Sequence, residues 1–223
     1  MGAASRSSRT ATAELARGAL QLGVSLSPGQ LAAFETYVNT LVFWRSRLSL
    51  TAAATPLAIV RSHILDSLPV ARFIEPGWRV ADLGSGAGFP GIPLAIVCPQ
   101  SRIVLIESRR KKANFLRDVA RRCQLANAEV SEERAEVLAA ESPEIFDLVV
   151  SRAVWPVSDF LGISRALLRS EGLAIAMKGP KARAETTSDP AFASPQVVFY
   201  KLHGGIERLL LVYRKRSPDI CFT

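Results

Sequence analysis

The sequence has 223 residues, of which 48% are hydrophobic and 22% charged, a composition typical of a soluble α/β protein with one sizeable core. Its longest apolar runs are far shorter than the roughly 20 residues that a membrane-spanning helix needs, so we predict no membrane association. The three cysteines have neither paired spacing nor a histidine cluster nearby, which argues against a disulfide framework or a metal site and favours a reducing cytoplasm. The formal net charge of +8 favours a polyanionic partner without establishing one.

Residues 1–75 are predicted to form a disordered leader followed by a helical cap. The small, polar and basic residues at the start show no apolar pattern, and we expect them to be disordered. Ser27 followed by Pro28 supplies an N-cap and a proline at the first helical position, which defines one helix start well. Apolar residues recur at helical spacing over three stretches, which predict helices at residues 11–23, 28–48 and 57–73.

Residues 76–223 are predicted to form a Rossmann-like core, because short β-type runs that alternate with helical segments build a parallel sheet. Beyond Lys178, a segment rich in Gly, Pro, Ser and Thr predicts a mobile surface loop. Residues 196–204 and 207–215 then predict a terminal hairpin that gives the sheet an antiparallel edge. The other predicted strands are residues 79–83, 102–106, 128–131, 147–150 and 173–177, and the predicted helices are 91–97, 110–123, 134–140 and 157–168.

The most informative segment is VADLGSGAGFPGIPLAIV, in which a strand ending in Asp82 leads through a glycine-rich turn into a helix. Gly84, Gly86 and Gly88 allow positive φ and let a ligand approach the backbone closely. Open α/β sheets bind ligands in the crevice outside the carboxyl ends of their strands. The segment therefore predicts an adenosine-cofactor site, and Glu107 stands where a ribose-binding carboxylate belongs.

Two classes of cofactor are compatible with this turn. Gly86, Gly88 and Gly91 satisfy the G-x-G-x-x-G pattern of NAD-binding proteins. Pro90 and Pro93 count against NAD, because a pyrophosphate needs free N–H groups at the helix start and proline offers none. S-adenosylmethionine has no phosphate, and it needs a carboxylate for its ribose hydroxyls and a backbone-lined gap for its methionine end. It suits the turn better.

Six segments carry a resemblance that spans about residues 30–215: FWRSRLSLT, RSHILDSL, VADLGSGAGFPGIPLAI, ESRRKKANFL, SRAV and MKG. In this order and at these separations they resemble the ribosomal small-subunit guanine-N7 methyltransferases, once called glucose-inhibited division protein B. The resemblance implies a Rossmann-like, S-adenosylmethionine-dependent enzyme with a mostly parallel seven-stranded sheet, which methylates guanine N7 in 16S ribosomal RNA. Arg45 and Ser49 replace two asparagines of the family pattern, so no role is assigned to them.

The resemblance also implies specific cofactor contacts. Gly84 and Phe89 of the turn match such contacts, as do Ala135 and Glu136, which would lie near the adenine. Arg152, just past the fourth strand, matches an arginine at the methyl-transfer face and is our candidate catalytic residue. Together with the turn itself, the predicted cofactor-binding set is Asp82, Gly84, Ser85, Gly86, Gly88, Phe89, Glu107, Ala135, Glu136 and Arg152.

The absence of other methyltransferase motifs agrees with guanine N7 as the target. N7 carries a lone pair and no proton, so its methylation requires alignment rather than a general base. The sequence has neither the Asn/Asp-Pro-Pro-Tyr loop of amine methyltransferases nor a nucleophilic cysteine after the fourth strand. His63 could equally well have a packing role or contact RNA. The basic residues at the start of the helix at residue 110 indicate an anionic partner or, equally well, a solvent-exposed face. The predicted RNA contacts are Arg61, His63, Lys178, Arg109 and Arg110.

The sequence thus predicts a cytoplasmic, monomeric methyltransferase whose partner is 16S ribosomal RNA or the small ribosomal subunit. Three other classes stay open at this point: a small-molecule methyltransferase, an NAD-dependent oxidoreductase and a non-catalytic RNA-binding module. Activity that is indifferent to salt and RNA would indicate the first, because binding dominated by phosphate contacts weakens steeply as salt rises. Dinucleotide binding would indicate the second, and RNA binding without affinity for the methyl donor the third.

Overall fold

The computed structural model describes residues 3–152, 155–180 and 186–217, with side chains from residue 9 onward. Three helical segments precede the sheet: α1 (Ala3–Gln21), α2 (Pro28–Arg45) and α3 (residues 56–73). The remaining helices are α4 (Gly91–Val97), α5 (Arg110–Arg122), α6 (Ala135–Glu141) and α7 (Val157–Leu167). The strands are β1 (Arg79–Leu83), β2 (Arg102–Ile106), β3 (Ala128–Ser131), β4 (Phe146–Arg152), β5 (Leu168–Lys178), β6 (Gln196–Lys201) and β7 (Glu207–Arg214).

The seven strands form one sheet in the order β3-β2-β1-β4-β5-β7-β6. Strands β1 to β5 are parallel, whereas β7 runs antiparallel to β5 and to β6. The predicted fold class and the terminal hairpin are therefore confirmed. The chain steps outward from β1 to β3 and then returns to the other side of β1, which leaves a crevice at the carboxyl ends of β1 and β4. Residues 181–185 of the predicted surface loop lie outside the described residues.

The first helix begins earlier than the sequence pattern predicted. It starts at Ala3, so the leader that we expected to be disordered is helical from that residue on. The segment repeats alanine, which has the highest helix propensity, and this signal is independent of apolar periodicity. Further along, Ala11, Leu15 and Ala19 are buried in the cluster that joins the cap to the sheet, so packing stabilises the same helix.

The third helical segment changes type along its length. It begins as an α-helix, widens into a π-helical turn at Val60–Ile64, and tightens into a 3₁₀-helix at Leu68–Phe73. Pro69 has no N–H to donate, which suits the change of pattern in the last turns. The π-helical turn carries Arg61 and His63, and π-bulges occur frequently at functional sites. Periodicity alone indicated a plain helix here.

The cap and the sheet share one hydrophobic cluster. Phe34, Tyr37 and Leu41 of α2 are fully buried against α4 and α5, and the same cluster continues to Ile103 and Leu148 of the sheet. The opposite face of the sheet is covered by α6 and α7 in a second cluster. The cap therefore packs directly against the helices that flank the crevice. No helix in the described ranges is long and apolar enough to cross a membrane.

The predicted start of α2 is confirmed and provides a stability test. The Ser27 hydroxyl accepts from the Gln30 N–H at 3.2 Å, and the Gln30 side chain accepts from the Ser27 N–H at 2.9 Å. Because Ser27→Ala removes one arm of this capping box, we expect it to lower the free energy of unfolding by about 1 kcal/mol. Urea denaturation checks this, with Ser46→Ala at the other end of the helix as the control. Equal stability of the two variants would contradict the prediction.

Candidate active site

The glycine-rich turn is held from below by Asp82 at the end of β1. This carboxylate is fully buried, and its Oδ2 accepts from the Gly91 N–H at 3.0 Å. Its Oδ1 has no hydrogen-bond partner among the described residues. Burial raises the pKa of Asp82 to about 6, against the opposing effect of hydrogen bonds from Ser85 and Gly91. Asp82 thus acts on the turn through α4 and does not reach the open crevice.

Every N–H group at the start of α4 is already accounted for. The Gly91 N–H goes to Asp82, the Ile92 N–H to the Gly88 carbonyl, and the Leu94 N–H to the Pro90 carbonyl. The two prolines of this stretch have no N–H at all. A pyrophosphate at a helix N-terminus depends on free N–H groups, so this helix start does not suit a dinucleotide. The structure thereby supports the choice against NAD that the prolines indicated.

The cap fixes the turn from the other side. Tyr37 of α2 is fully buried, and its hydroxyl donates to the Ala87 carbonyl at 2.6 Å. Gly88 has φ +94°, and a Cβ there would lie 2.7 Å from Ile92 Cγ1 and 3.0 Å from the Tyr37 hydroxyl. Only glycine combines this backbone conformation with so close a contact. At Gly86, φ is +57° and a Cβ would meet its nearest atom, the Gly84 carbonyl oxygen, at an ordinary van der Waals distance of 3.7 Å, so the backbone conformation and not crowding favours glycine here.

Glu107, at the end of β2, is anchored by the backbone on both sides of the crevice. Its Oε2 accepts from the Gly86 N–H at 3.1 Å and its Oε1 from the Arg109 N–H at 2.9 Å, while only 7% of the residue is exposed. The anionic carboxylate is thus oriented before any ligand arrives, with lone pairs left to accept further hydrogen bonds.

A cleft of about 660 Å³ opens beside this carboxylate, a size typical of small-molecule sites. Of the predicted cofactor residues, it brings together Gly84, Gly86, Glu107, Ala135 and Glu136, whereas Asp82, Ser85, Gly88, Phe89 and Arg152 lie outside its lining. The sequence analysis did not predict several residues that line the cleft. A lysine or arginine near a helix start, for example, does not indicate by itself whether its side chain faces a ligand site or solvent. The residues that were not predicted are Ser108, Lys112, Glu133, Arg134 and Trp155, together with Ile106.

Arg152, our candidate catalytic residue, lies next to the turn on the cap side. Its guanidinium carbon is 4.9 Å from the centre of the Phe89 ring, a cation–π distance. The His63 ring packs 4.8 Å from the same ring centre, and Arg152 Nη1 lies 3.0 Å from His63 Nδ1. Asp66 Oδ2 is 3.7 Å from Arg152 Nη1. Arg152, Phe89 and His63 thus form a compact group, called here the aromatic-arginine platform.

The contacts of His63 assign its tautomer. A guanidinium only donates, so Nδ1 accepts from Arg152 and the ring proton sits on Nε2. Nε2 then donates to the Thr51 hydroxyl at 2.6 Å, and this hydroxyl also accepts from the Ala53 N–H. Burial, and after it the Arg152 charge, lower the pKa of His63 to about 4. His63 is therefore neutral at physiological pH.

A titration by nuclear magnetic resonance tests this assignment. The sequence has two histidines, and His203 is half exposed, so His203→Gln identifies the signals. We expect His63 to titrate with a midpoint near pH 4 and to carry its proton on Nε2 at neutral pH. A midpoint near its usual 6.5, or a proton on Nδ1, would contradict the assignment.

The pH dependence of stability is a poorer test, because two groups oppose each other. Between pH 6.5 and 4 the unfolded chain binds a proton at His63 that the folded chain excludes, so the unfolding free energy falls as the pH falls. Asp82, whose pKa is raised from 3.8 to about 6, acts in the opposite direction, because there the folded chain holds the additional proton. Site-resolved titration separates the two.

The predicted RNA contacts do not all lie at the cleft. Arg109 lines the cleft, and Arg110 is exposed at the first turn of α5. Lys178, at the end of β5, donates to the carbonyl of the cleft-lining Trp155 at 2.9 Å. Arg61 points toward α1, where its Nε donates to the buried Glu14 carboxylate at 2.9 Å. An RNA-binding role for these residues stays a prediction.

Comparison with known proteins identifies the family. Residues 30–207 match the family model described as GidB, rRNA small subunit methyltransferase G. The chain belongs to this family. It is 41% identical over 177 residues to the ribosomal RNA small subunit methyltransferase G of Pseudomonas aeruginosa, covering 79% of this chain and 82% of that protein. The protein of the same name from Xylella fastidiosa is 41% identical over 184 residues, covering 81% of this chain and 84% of that protein.

Solved structures show the same fold at low sequence identity. The precorrin-6y C5,15-methyltransferase of Geobacter metallireducens superposes with a TM-score of 0.54 and 17% identity, over 76% of this chain and 95% of that one. TYW2 of M. jannaschii, solved in complex with AdoMet, gives a TM-score of 0.53 and 16% identity, over 70% of this chain and 77% of that one. These likenesses establish the Rossmann-like methyltransferase fold. The chain is therefore a methyltransferase by family, and its fold is one that methyltransferases share.

Proposed function

We propose that this chain transfers a methyl group from S-adenosylmethionine to N7 of a guanine in 16S ribosomal RNA. Membership of the rRNA small subunit methyltransferase G family supports the substrate class. The choice of S-adenosylmethionine as the cofactor rests on one observation. The carboxylate of Glu107 is anchored in a cleft beside a helix start that has no free N–H groups. Such a cleft suits an adenosine with ribose hydroxyls and no phosphate.

Different residues of the cleft would contact different parts of the cofactor. Glu107 would accept hydrogen bonds from the ribose hydroxyls, since its carboxylate is already oriented by two backbone N–H groups. Gly86, which lines the cleft without a side chain, would let the methionine end approach the backbone. Ala135 and Glu136, in the first turn of α6, line the same cleft and would lie beside the adenine. S-adenosylmethionine, when bound, supplies a methyl group on a positively charged sulfur.

The aromatic-arginine platform positions the base. Guanine N7 has a lone pair ready to attack, so catalysis consists of holding that nitrogen in line with the methyl group. Arg152 has donors for the O6 oxygen beside N7, and arginine recognises that edge of guanine well. N7 is hidden in the deep groove of an RNA duplex, so the target is a guanine in a loop or single strand. The charge of +8 favours RNA binding at the crevice rim, at Lys178, Arg109 and Arg110.

Transfer of labelled methyl groups tests the proposal. The purified chain is incubated with labelled S-adenosylmethionine and ribosomal RNA from a strain that lacks this gene, with RNA from the wild-type strain as the control. Assembled small subunits from both strains are tested in parallel. We expect label only in material from the deletion strain, and strand scission at the labelled guanosine after reduction and aniline treatment, which reports N7 methylation.

Two outcomes would contradict the proposal. Label in neither RNA nor subunits, despite measurable binding of the donor, would favour a small-molecule methyltransferase. Label at a site resistant to scission would move the reaction to another atom. A salt series adds a further check, because phosphate-dominated binding should weaken steeply between about 50 and 200 mM salt.

A further inference from the structure

The residue that anchors Arg152 belongs to the cap, far from the cofactor cleft in sequence. Asp66 of α3 is 6% exposed, and its Oδ2 lies 3.7 Å from Arg152 Nη1. Its other oxygen, Oδ1, accepts a hydrogen bond from the Tyr200 hydroxyl at 2.8 Å and lies 3.6 Å from Arg208 Nε. Asp66 therefore connects the cap and the C-terminal hairpin to the arginine that ends β4.

The Asp66 carboxylate has little freedom in this position. Tyr200 of β6 is 8% exposed, and its hydroxyl also lies 3.2 Å from the Asp66 backbone carbonyl, so its one proton lies between two oxygens of the same residue. A buried carboxylate that loses a hydrogen-bond donor is strongly penalised, which favours one arrangement. The same carboxylate faces Arg152, so the guanidinium lies beside a group that is itself held by a hydrogen bond from Tyr200.

The anchoring leaves part of Arg152 for a substrate. The contacts with His63 and Asp66 both fall on Nη1, whereas a guanidinium carries five N–H donors. The guanidinium lies over the ring of Phe89, and 21% of the Arg152 side chain is exposed. The Arg152 guanidinium is therefore contacted at Nη1, while its other N–H groups can still donate to a substrate.

We propose that Asp66 is a positioning residue, which, fixed by the Tyr200 hydroxyl, holds the guanidinium of Arg152 over Phe89 in the orientation that receives the target base. The inference rests on the proposed function, because it concerns the step in which Arg152 aligns guanine N7. Asp66 touches neither the base nor the methyl donor. It acts only through Arg152.

The kinetics of two variants, with a matched control and a double-variant comparison, test the inference. Asp66→Asn removes the charge and Tyr200→Phe removes only the hydroxyl, and each should lower kcat for RNA methylation about 10-fold with KM for S-adenosylmethionine unchanged, as expected when alignment is lost. Tyr213→Phe is the matched control, because it deletes a phenol hydroxyl on neighbouring β7 that accepts from the Thr187 N–H at 3.4 Å. In an Arg152→Ala background, Asp66→Asn should cause no further loss.

A merely structural role gives different results. In that case the variants would unfold at lower temperature while the folded enzyme kept its wild-type kcat, and this would overturn the inference. An equal loss from Asp66→Asn with and without Arg152 would overturn it as well, because Asp66 would then act by another route.

A measurement without turnover separates this inference from the proposed function. The guanidinium Nε–H signal of Arg152 is observed by nuclear magnetic resonance in the full chain. It should be sharp in the wild type, where the guanidinium is held in one orientation, and exchange-broadened in Asp66→Asn and Tyr200→Phe. If the wild type transferred no methyl group to RNA, the proposed function would fail, while this signal would still show whether Asp66 holds Arg152. An equally ordered signal in all variants would overturn the positioning role.

Discussion

Replacing Glu107 with alanine should weaken the binding of S-adenosylmethionine on the order of 100-fold, the largest loss that we expect from one side chain in the cleft. The carboxylate would accept from two ribose hydroxyls, and a hydrogen bond to a charged group contributes roughly 1.5–3 kcal/mol. The variant would also release the Gly86 and Arg109 N–H groups that Glu107 now orients. Isothermal titration calorimetry gives the dissociation constant directly.

Two further variants decide which property of Glu107 matters. Glu107→Gln keeps one carbonyl acceptor and loses the charge, so its affinity should fall about 10-fold, between the wild type and the alanine variant. Glu129→Ala removes a carboxylate from the neighbouring strand, where it pairs with Arg102 at the surface, and should bind like the wild type. Wild-type affinity in Glu107→Ala would remove this residue from the cofactor site.

The cofactor side of the site was accessible from sequence because its determinants are local. The glycines of the turn follow β1 within a few residues, and Glu107 ends the next strand of a sheet whose order obeys a general rule. The two prolines indicated a poor pyrophosphate site before any geometry was known. Pro90 and Pro93 have no N–H group, and the other N–H groups at the start of α4 are already used in hydrogen bonds within the protein.

The base side of the site could not be predicted in the same way. Its members are scattered along the chain, since Arg152 is 89 positions from His63 and Tyr200 is 134 positions from Asp66. A histidine and an aspartate three apart on a helix give the same pattern whether they pack, cap or position an arginine. Only the tertiary arrangement distinguishes these roles. The π-helical turn that carries His63 is likewise invisible to apolar periodicity, which reports which face is buried and not the local pitch.

Replacing Arg152 with alanine should lower kcat/KM for RNA methylation about 100-fold, because a misplaced base can cost a factor of that size even when both substrates bind. Arg152 lies outside the residues that line the cleft, so the dissociation constant of S-adenosylmethionine should stay within about twofold of the wild type. The family resemblance had placed Arg152 among the cofactor contacts as well, and the two measurements together decide between these roles.

Arg152→Lys tests whether charge alone is sufficient. Lysine keeps the positive charge, but it lacks the planar fork that stacks on Phe89 while it contacts His63 and a base edge, so we expect about a 10-fold loss to remain. Arg214→Ala, at the exposed end of β7, removes an arginine that donates to the Glu171 carbonyl and should leave transfer unchanged. Full activity in Arg152→Ala would remove Arg152 from the site. Weak binding of S-adenosylmethionine with a normal kcat would instead assign Arg152 to the cofactor contacts. An arginine that aligns the base should lower kcat while S-adenosylmethionine still binds.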